Sequence, residues 1–265
     1  MAIITLLSDF GLKDSYVAEM KGIILSTSPD TGIVDITHDI KKFDIEMGMF
    51  ILASAVRYFP DGTVHVAVVD PGVGGERKPI IIKAKNNYYV GPDNGILTLA
   101  SKNEGIEDVY HINKVDIFKE EISPTFHGRD IFAYTAALIA ERHKLCSIGE
   151  KIDDYLIIEF EKAEFRENEV ICKIIHIDNY GNLITNVHST DLNDLKLNFD
   201  SIILLQFRDK NYHINFQRTY SDVSSQELTA LIGSHNFLEI AENLGNAGNR
   251  IAAKRGDKLK LTFLD

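Results

Sequence analysis

Short apolar runs alternate with stretches of helical periodicity ahead of residue 72, and this alternation constrains the fold more than any other feature of the chain. Residues 3–7 read as a buried strand, and Tyr16, Met20, Ile23 and Ile24 then recur at helical spacing up to the Ser28-Pro29 break. The unit repeats. Residues 32–36 form a second strand, and Ile45, Met49, Leu52, Ala55 and Phe59 mark a second helix ended by Pro60-Asp61-Gly62. Residues 63–69 are a third strand that stops at Asp70-Pro71-Gly72. This order predicts a parallel sheet covered by helices on both faces, with ligand groups at the carboxyl ends of the strands. Asp9, Thr37-His38 and Asp70 all fall at such ends.

Beyond the third strand, Asn86-Asn87 separates 80–84 from 88–90 as a hairpin, and 129–142 is a strongly apolar helix. The character changes from about Asp153. Residues 159–169 are charged and poorly periodic, which reads as a connector, and short strands such as 170–177, 202–207 and 259–263 follow between polar turns. The expected fold class is therefore α/β. An N-terminal, mostly parallel sheet sandwiched by helices (1–155) is joined to a smaller C-terminal antiparallel β domain (165–265).

Composition narrows the function. With 28 Lys and Arg against 39 Asp and Glu, the 265-residue chain carries a formal charge of -11, the opposite of the basic footprint that binds a phosphate backbone. Nucleic acid and anionic membrane are set aside as partners, and no apolar stretch approaches the ~18 residues of a spanning helix. Two cysteines, Cys146 and Cys172, are too few for a disulfide framework and too far apart for a C-x-x-C site, which suits a reducing cytoplasm. The N-terminal apolar run lacks a basic leader and reads as a strand rather than a signal peptide.

Several segments concentrate polar chemistry. Ser8-Asp9-Phe10-Gly11 contains the Asp-Phe-Gly triplet of protein kinases, and His127-Gly128-Arg129-Asp130 imitates a kinase catalytic loop. Neither has the context. No Gly-rich loop precedes the first, which closes the first strand, where a kinase would need a whole lobe beforehand. What remains is a carboxylate at a strand end, where an acid holds a nucleoside ribose in many α/β proteins; turn chemistry alone explains the same residues. In Val68-Val69-Asp70-Pro71-Gly72-Val73-Gly74-Gly75-Glu76-Arg77 the glycines allow close backbone approach, yet the spacing matches neither phosphate-binding pattern. Asp70 and Arg77, folded onto each other, would orient a small polar molecule such as water, or simply cap the turn as a surface ion pair.

His127, beside Gly128 at a helix entrance, suits a site histidine, although a lone histidine is more often structural. Asp35, His38 and Asp39 are too few and too generic for a metal, and a hydrogen-bonding role at the strand end is favoured. In the second half, residues 177–186 and 233–241 hold more amides, carboxylates and aromatics than a hairpin needs, and can face an amino acid or a base; Asx-rich turns are the plainer account.

Taken together these segments resemble one family, the S-adenosyl-L-methionine (SAM) hydrolases or SAM hydroxide adenosyltransferases, relatives of the SAM-dependent fluorinase and chlorinase. The resemblance covers nearly the whole chain in order. It includes Ser8-Asp9-Phe10-Gly11 with Asp14 and Lys21-Gly22, Asp35-Ile36-Thr37-His38, Val69 to Gly74 with Arg77, and Asn94-Gly95. It continues through Thr125 to Asp130, Asp178 to Asn186, and Gly233-Ser234 with Leu238-Glu239-Ile240-Ala241.

The resemblance implies attack of water on C5′ of the SAM ribose, giving adenosine and L-methionine, with SAM as substrate and no cofactor or metal. Asp70, Arg77 and His127 match the water-orienting residues, which the halogenases lack in part, so water rather than halide is the implied nucleophile. Asp9 matches the acid that holds the ribose hydroxyls, with Asp14 and Phe126 in the same substrate-binding motifs. Asp178 and Ser234 match methionine-binding positions, Asn182 an adenine contact, and Tyr180 and Tyr220 aromatic positions around the nucleoside; Glu239 lies in the last motif. Tyr180 stands where Phe is usual, Asn236 where Gly is common, and His235 where halogenases carry Arg. Relatives of this kind are homotrimers with sites between the first domain of one subunit and the second of its neighbour. Two other readings remain open here, a SAM or adenosine sensor without turnover and a SAM-dependent methyltransferase.

Overall fold

From Ile4 to Ser8 every residue of β1 (Ile3–Ser8) is at most 1% exposed, the pattern of a strand covered on both faces. Alternation along it divides the core in two. Ile4 and Leu6 pack with Met20 and Ile24 of α1 (Tyr16–Thr27), whereas Leu7 packs with Leu52 and Val56 of α2 (Ile45–Val56). Ala100 of α3 (Thr98–Glu104) joins the second cluster and Leu138 of α4 (Tyr134–Ala140) the first. Fully burying one such aliphatic side chain contributes about 1.5–3 kcal/mol, and a one-residue slip of β1 would exchange the two faces, so its register is strongly specified. The computed structural model describes residues 1–114, 121–193, 195 and 197–264, and the chain divides into two units, Met1–Glu159 and Phe160–Asp265.

In the first unit, β1 lies between β2 (Gly32–Thr37) and β3 (Val64–Val68), parallel to both, and β5 (Tyr88–Pro92) extends the parallel run beside β3. β4 (Pro79–Ala84) is antiparallel to β5 and to β6 (Ile106–Ile112), and β7 (Gly149–Lys151) pairs antiparallel at the edge. The sheet is parallel-rich as expected: β1, β2, β3, β5 and β6 point one way, while β4 and β7 run against them. Connection length decides this. Only Lys85, Asn86 and Asn87 link β4 to β5, enough for a hairpin and far too few for a crossover. The helix expected over 129–142 begins instead as a π-helical turn, Gly128–Ala133, before continuing as α4.

The second unit is built from β8 (Glu164–Arg166), β9 (Glu169–Ile177), β10 (Leu183–His188), β11 (Ile202–Phe207), β12 (Lys210–Phe216), β13 (Leu228–Ile232), β14 (Phe237–Glu242) and β15 (Lys258–Leu264). β9 pairs with both β10 and β15, so the sheet closes into a barrel around Ile174, Leu183, Ile203, Leu205, Leu238 and Ile240. Closure removes the free edges that an open sheet leaves unpaired. β12 and β13 also run parallel, which the eleven-residue link between them permits. Among the described residues no helix is long and apolar enough to cross a membrane.

Candidate active site

Three chain segments meet at the carboxyl end of the first sheet. β3 delivers Asp70 two residues past its end, the Gly-rich loop returns Arg77, and the segment before the π-helical turn supplies His127. Gly74 explains why the loop needs glycine. Its φ is +75°, and a Cβ there would collide with the Pro124 carbonyl oxygen, so the loop lies directly against the backbone leading to His127. The glycines serve this close approach.

Arg77 joins the other two groups. Its Nε lies 3.0 Å from both carboxylate oxygens of Asp70, and its Nη2 donates to Asp70 Oδ2 at 2.5 Å and to His127 Nδ1 at 2.7 Å. The guanidinium sits 5.4 Å from the centre of the Phe132 ring, and its Nη1 finds no hydrogen-bond partner. Asp70 and Arg77 side chains are only 5% and 10% exposed, so this pair works in a weakly screened environment. An arginine can only donate, so Nδ1 of His127 must accept, and the neutral ring carries its proton on Nε2. Burial, and then the neighbouring Arg77 charge, lower the His127 pKa below the ordinary histidine value, which keeps that neutral form.

Asp70 and His127 both line a cavity of about 370 Å³; Arg77 stands behind them, outside the lining. Phe126 is also on the wall, with Phe10 and Tyr16, and the three rings meet edge to face at 5.2–5.9 Å. Glu19 and Arg129, paired at 2.8 Å, complete one side. Asp9 and Asp14 do not line this cavity. Asp9 follows β1, and its Oδ2 accepts from the Phe43 N–H at 2.9 Å; Asp14 is exposed just ahead of α1. Among the described residues no cluster of His, Cys, Asp or Glu is arranged to hold a metal ion.

In the second unit, Asp178 organises the β9–β10 turn. Its Oδ1 accepts from the N–H groups of Tyr180 and Asn182, both at 2.9 Å, and its Oδ2 from the Asn182 side-chain amide at 2.8 Å. Tyr180 itself is 77% exposed. Across the barrel strands the Tyr220 hydroxyl donates to Glu239 Oε2 at 3.0 Å. Glu239 is buried, and burial pushes its carboxyl above the usual range, the Asp178 charge adding to this while the Tyr220 bond opposes it. A Cβ on Gly233 would collide with that same carboxylate, so Gly233 lets the turn bearing Ser234 settle over Glu239. Ser234 is exposed at the tip.

Tyr16, Glu19 and Arg129 line the cavity without having been singled out as binding residues. The signal for Tyr16 was present but read as the apolar face of α1, whereas nothing in the local pattern marks Glu19. His38 does bond at the end of β2, through Ser8 at 2.7 Å, and its Nε2 lies 3.1 Å from Asp35 Oδ1.

Comparison with known proteins follows the same division of the chain. Residues 4–149 match the family model described as SAM hydroxide adenosyltransferase N-terminal domain, and residues 172–260 match its C-terminal domain. The chain is 36% identical over 271 residues to the (R)-S-adenosyl-L-methionine hydrolase of Methanocaldococcus jannaschii, covering 98% of this chain and 96% of that protein. A fluorinase of Nocardia brasiliensis is 26% identical, with 96% and 94% covered. A crystal structure of an uncharacterized conserved protein from Thermotoga maritima superposes with a TM-score of 0.93 at 34% identity, covering 99% of this chain and all of that one. With both halves matched in order and full-length relatives above 30% identity, the chain belongs to the SAM hydroxide adenosyltransferase family.

Proposed function

We propose that this protein hydrolyses S-adenosyl-L-methionine to adenosine and L-methionine, with water attacking ribose C5′ in line with the C5′–S bond. The observation that carries the reading is the Arg77 guanidinium holding Asp70 and His127 together on one cavity wall. The relatives named (R)-S-adenosyl-L-methionine hydrolase support it and point to the R configuration at sulfur.

The geometry suits this chemistry. A water between the two groups accepts from His127 Nε2–H and donates to Asp70, which leaves a lone pair free to face C5′. As the C5′–O bond forms, the C5′–S pair leaves with sulfur as the neutral thioether, and the surplus water proton passes to Asp70 and then to solvent. The sulfonium needs no acid to depart, so orientation is the main requirement, and it can supply about 7–11 kcal/mol in favourable cases. Three aromatic rings on the wall suit a cation by cation–π attraction and a reaction in which positive charge is lost from the reacting centre. The hydrogen-bonding trio favours water as nucleophile over halide.

Asp9 is assigned to the ribose hydroxyls. In the second unit Asp178 and Ser234 are assigned to the methionine portion, and Asn182, Tyr180 and Tyr220 to the nucleoside. Because these groups lie on two separate units, the reading includes a homotrimer in which neighbouring copies complete each site. Incubation with either sulfonium epimer of SAM in ¹⁸O-water tests the reaction: adenosine with the label in its 5′-hydroxyl, plus equimolar methionine, is the expected result. Unchanged SAM would leave only binding, and S-adenosylhomocysteine in the presence of an acceptor would mean methyl transfer. For the shared site, mixing Asp70→Ala and Asp178→Ala chains should restore activity that neither has alone; a monomeric mass in solution would contradict it.

A further inference from the structure

Apart from the trio, a second polar relay occupies the ends of β1 and β2, buried at Ser8 and His38 and partly exposed at Asp35 and Lys21. Ser8 Oγ meets His38 Nδ1 at 2.7 Å, His38 Nε2 meets Asp35 Oδ1 at 3.1 Å, and Asp35 Oδ2 meets Lys21 Nζ of α1 at 2.6 Å. The order carboxylate, imidazole, hydroxyl is that of an activated serine, but Ser8 is 0% exposed and cannot reach a substrate. The contacts instead run from α1 to the loop after β1. Lys21 donates to Asp35, His38 Nε2 faces the other carboxylate oxygen as a close polar contact, Nδ1 accepts from the Ser8 hydroxyl, and Ser8 Oγ accepts from the Phe10 N–H at 3.3 Å. Lys21 and His38 hold the Asp35 carboxyl below its usual range against the opposing effect of burial.

The relay encloses Asp9, the residue between Ser8 and Phe10. The loop after β1 is stitched to the loop after β2 by Gly11 N–H to His38 O at 2.8 Å and Ile40 N–H to Ser8 O at 3.4 Å. The same loop then places the Phe43 N–H on Asp9 Oδ2, with Phe43 in the left-handed region at φ +66°, a conformation a bulky side chain disfavours. One carboxylate oxygen is thus held, and the carboxylate plane is set by a loop that His38 anchors.

We propose that Ser8, His38 and Asp35 are positioning residues that act through Asp9 to aim its carboxylate at the ribose diol of the substrate. The proposal rests on the reading that Asp9 binds the ribose hydroxyls. It assigns to the relay a role in ribose discrimination, separate from the water-orienting trio.

The test compares kcat/KM for SAM with that for 2′-deoxy-SAM in the wild-type protein and in Asp9→Asn, Ser8→Ala and Asp35→Asn variants. Wild type should prefer the ribose form, and Asp9→Asn should lose that preference. Ser8→Ala and Asp35→Asn should each erode it by about tenfold, since a small misplacement of a binding group is costly. The loss should fall on KM for SAM, because a ribose contact acts in the ground and transition states alike, and kinetics with the deoxy substrate should stay put. Asp35 is 36% exposed, so its variant carries the test if Ser8→Ala does not fold. If both relay variants keep the wild-type preference while Asp9→Asn loses it, the relay is a structural support and the proposal is overturned. If Asp9→Asn also keeps the preference, the ribose reading itself fails and takes the proposal with it.

Discussion

Replacing Arg77 by Lys keeps a positive charge beside Asp70 and removes the fork. Arg77 reaches Asp70 through Nε and Nη2 and reaches His127 through the second hydrogen of Nη2, contacts that diverge from one planar group. An ammonium on a flexible stem can follow the carboxylate or the imidazole, and Asp70 is the stronger attraction. The bond to His127 is then lost. A hydrogen bond from a charged donor contributes about 1.5–3 kcal/mol, which at 1.36 kcal/mol per decade is about 10- to 150-fold in rate. Because Arg77 lies outside the cavity lining, the loss should fall on kcat, with KM for SAM close to wild type. Steady-state rates of adenosine formation, separated chromatographically, give both constants. Arg77→Met extends the test by removing the charge. The guanidinium lowers the His127 pKa and Asp70 raises it, so without Arg77 both changes push the His127 pKa up. The acid limb of the pH–rate profile, which reports loss of neutral His127 as pH falls, should move to higher pH. A wild-type kcat in Arg77→Lys, or a raised KM with unchanged kcat, would refute the reasoning.

Three further outcomes follow from the same geometry. His65 is fully buried between Phe59 and Tyr89, its Nδ1 on Thr5 Oγ1 at 2.8 Å, and burial pushes its pKa down to about 3 from 6.5. As pH falls from 6.5 toward 3 the unfolded chain binds a proton the folded one refuses, so stability present above pH 6.5 is lost, by about 2 kcal/mol at pH 5. Denaturant unfolding of wild type and His65→Gln at pH 7 and pH 5 isolates this, and an equal pH effect in both proteins would remove it. Gly74→Ala meets both an unfavourable φ and the Pro124 carbonyl, so it should part Arg77 from His127 and lower kcat by about tenfold or more for a small drop in melting temperature; a larger loss of stability than of rate would count against the close-approach role. Glu239, with its carboxyl pushed up by burial, stabilises the fold most when protonated, below pH 4.5, and less as pH rises through the folded value. Glu239→Gln should therefore be more stable than wild type at pH 7 and lose that advantage near pH 4, as thermal melts at the two pH values would show.

What could be read along the chain and what could not separates by the distance over which each feature is decided. β1, β2 and β3 announce themselves because a strand buried on both faces needs a continuous apolar run, and the helices between them need their own period. The pairing of β4 with β6, twenty-odd residues on, has no local signature, and the closure of the barrel depends on β9 meeting both β10 and β15, the latter some ninety residues away. The site divides in the same way. Asp70 and Arg77 are seven residues apart across a Gly-rich loop, so their pairing could be weighed from spacing, whereas His127 is fifty residues further on, and its place at a helix entrance marks a site histidine without saying that it meets Arg77. Glu19 stayed hidden because a charged residue on an amphipathic helix ordinarily faces water, and only the approach of the segment from Ser123 to Arg129 turns that face into a cavity wall. Gly74 links the two scales: it belongs to the legible loop, yet its need for glycine comes from Pro124, a carbonyl in the distant segment. A residue type that is puzzling within its own motif is thus the place where the chain carries a trace of a long-range contact, and here that trace points to the loop that delivers His127.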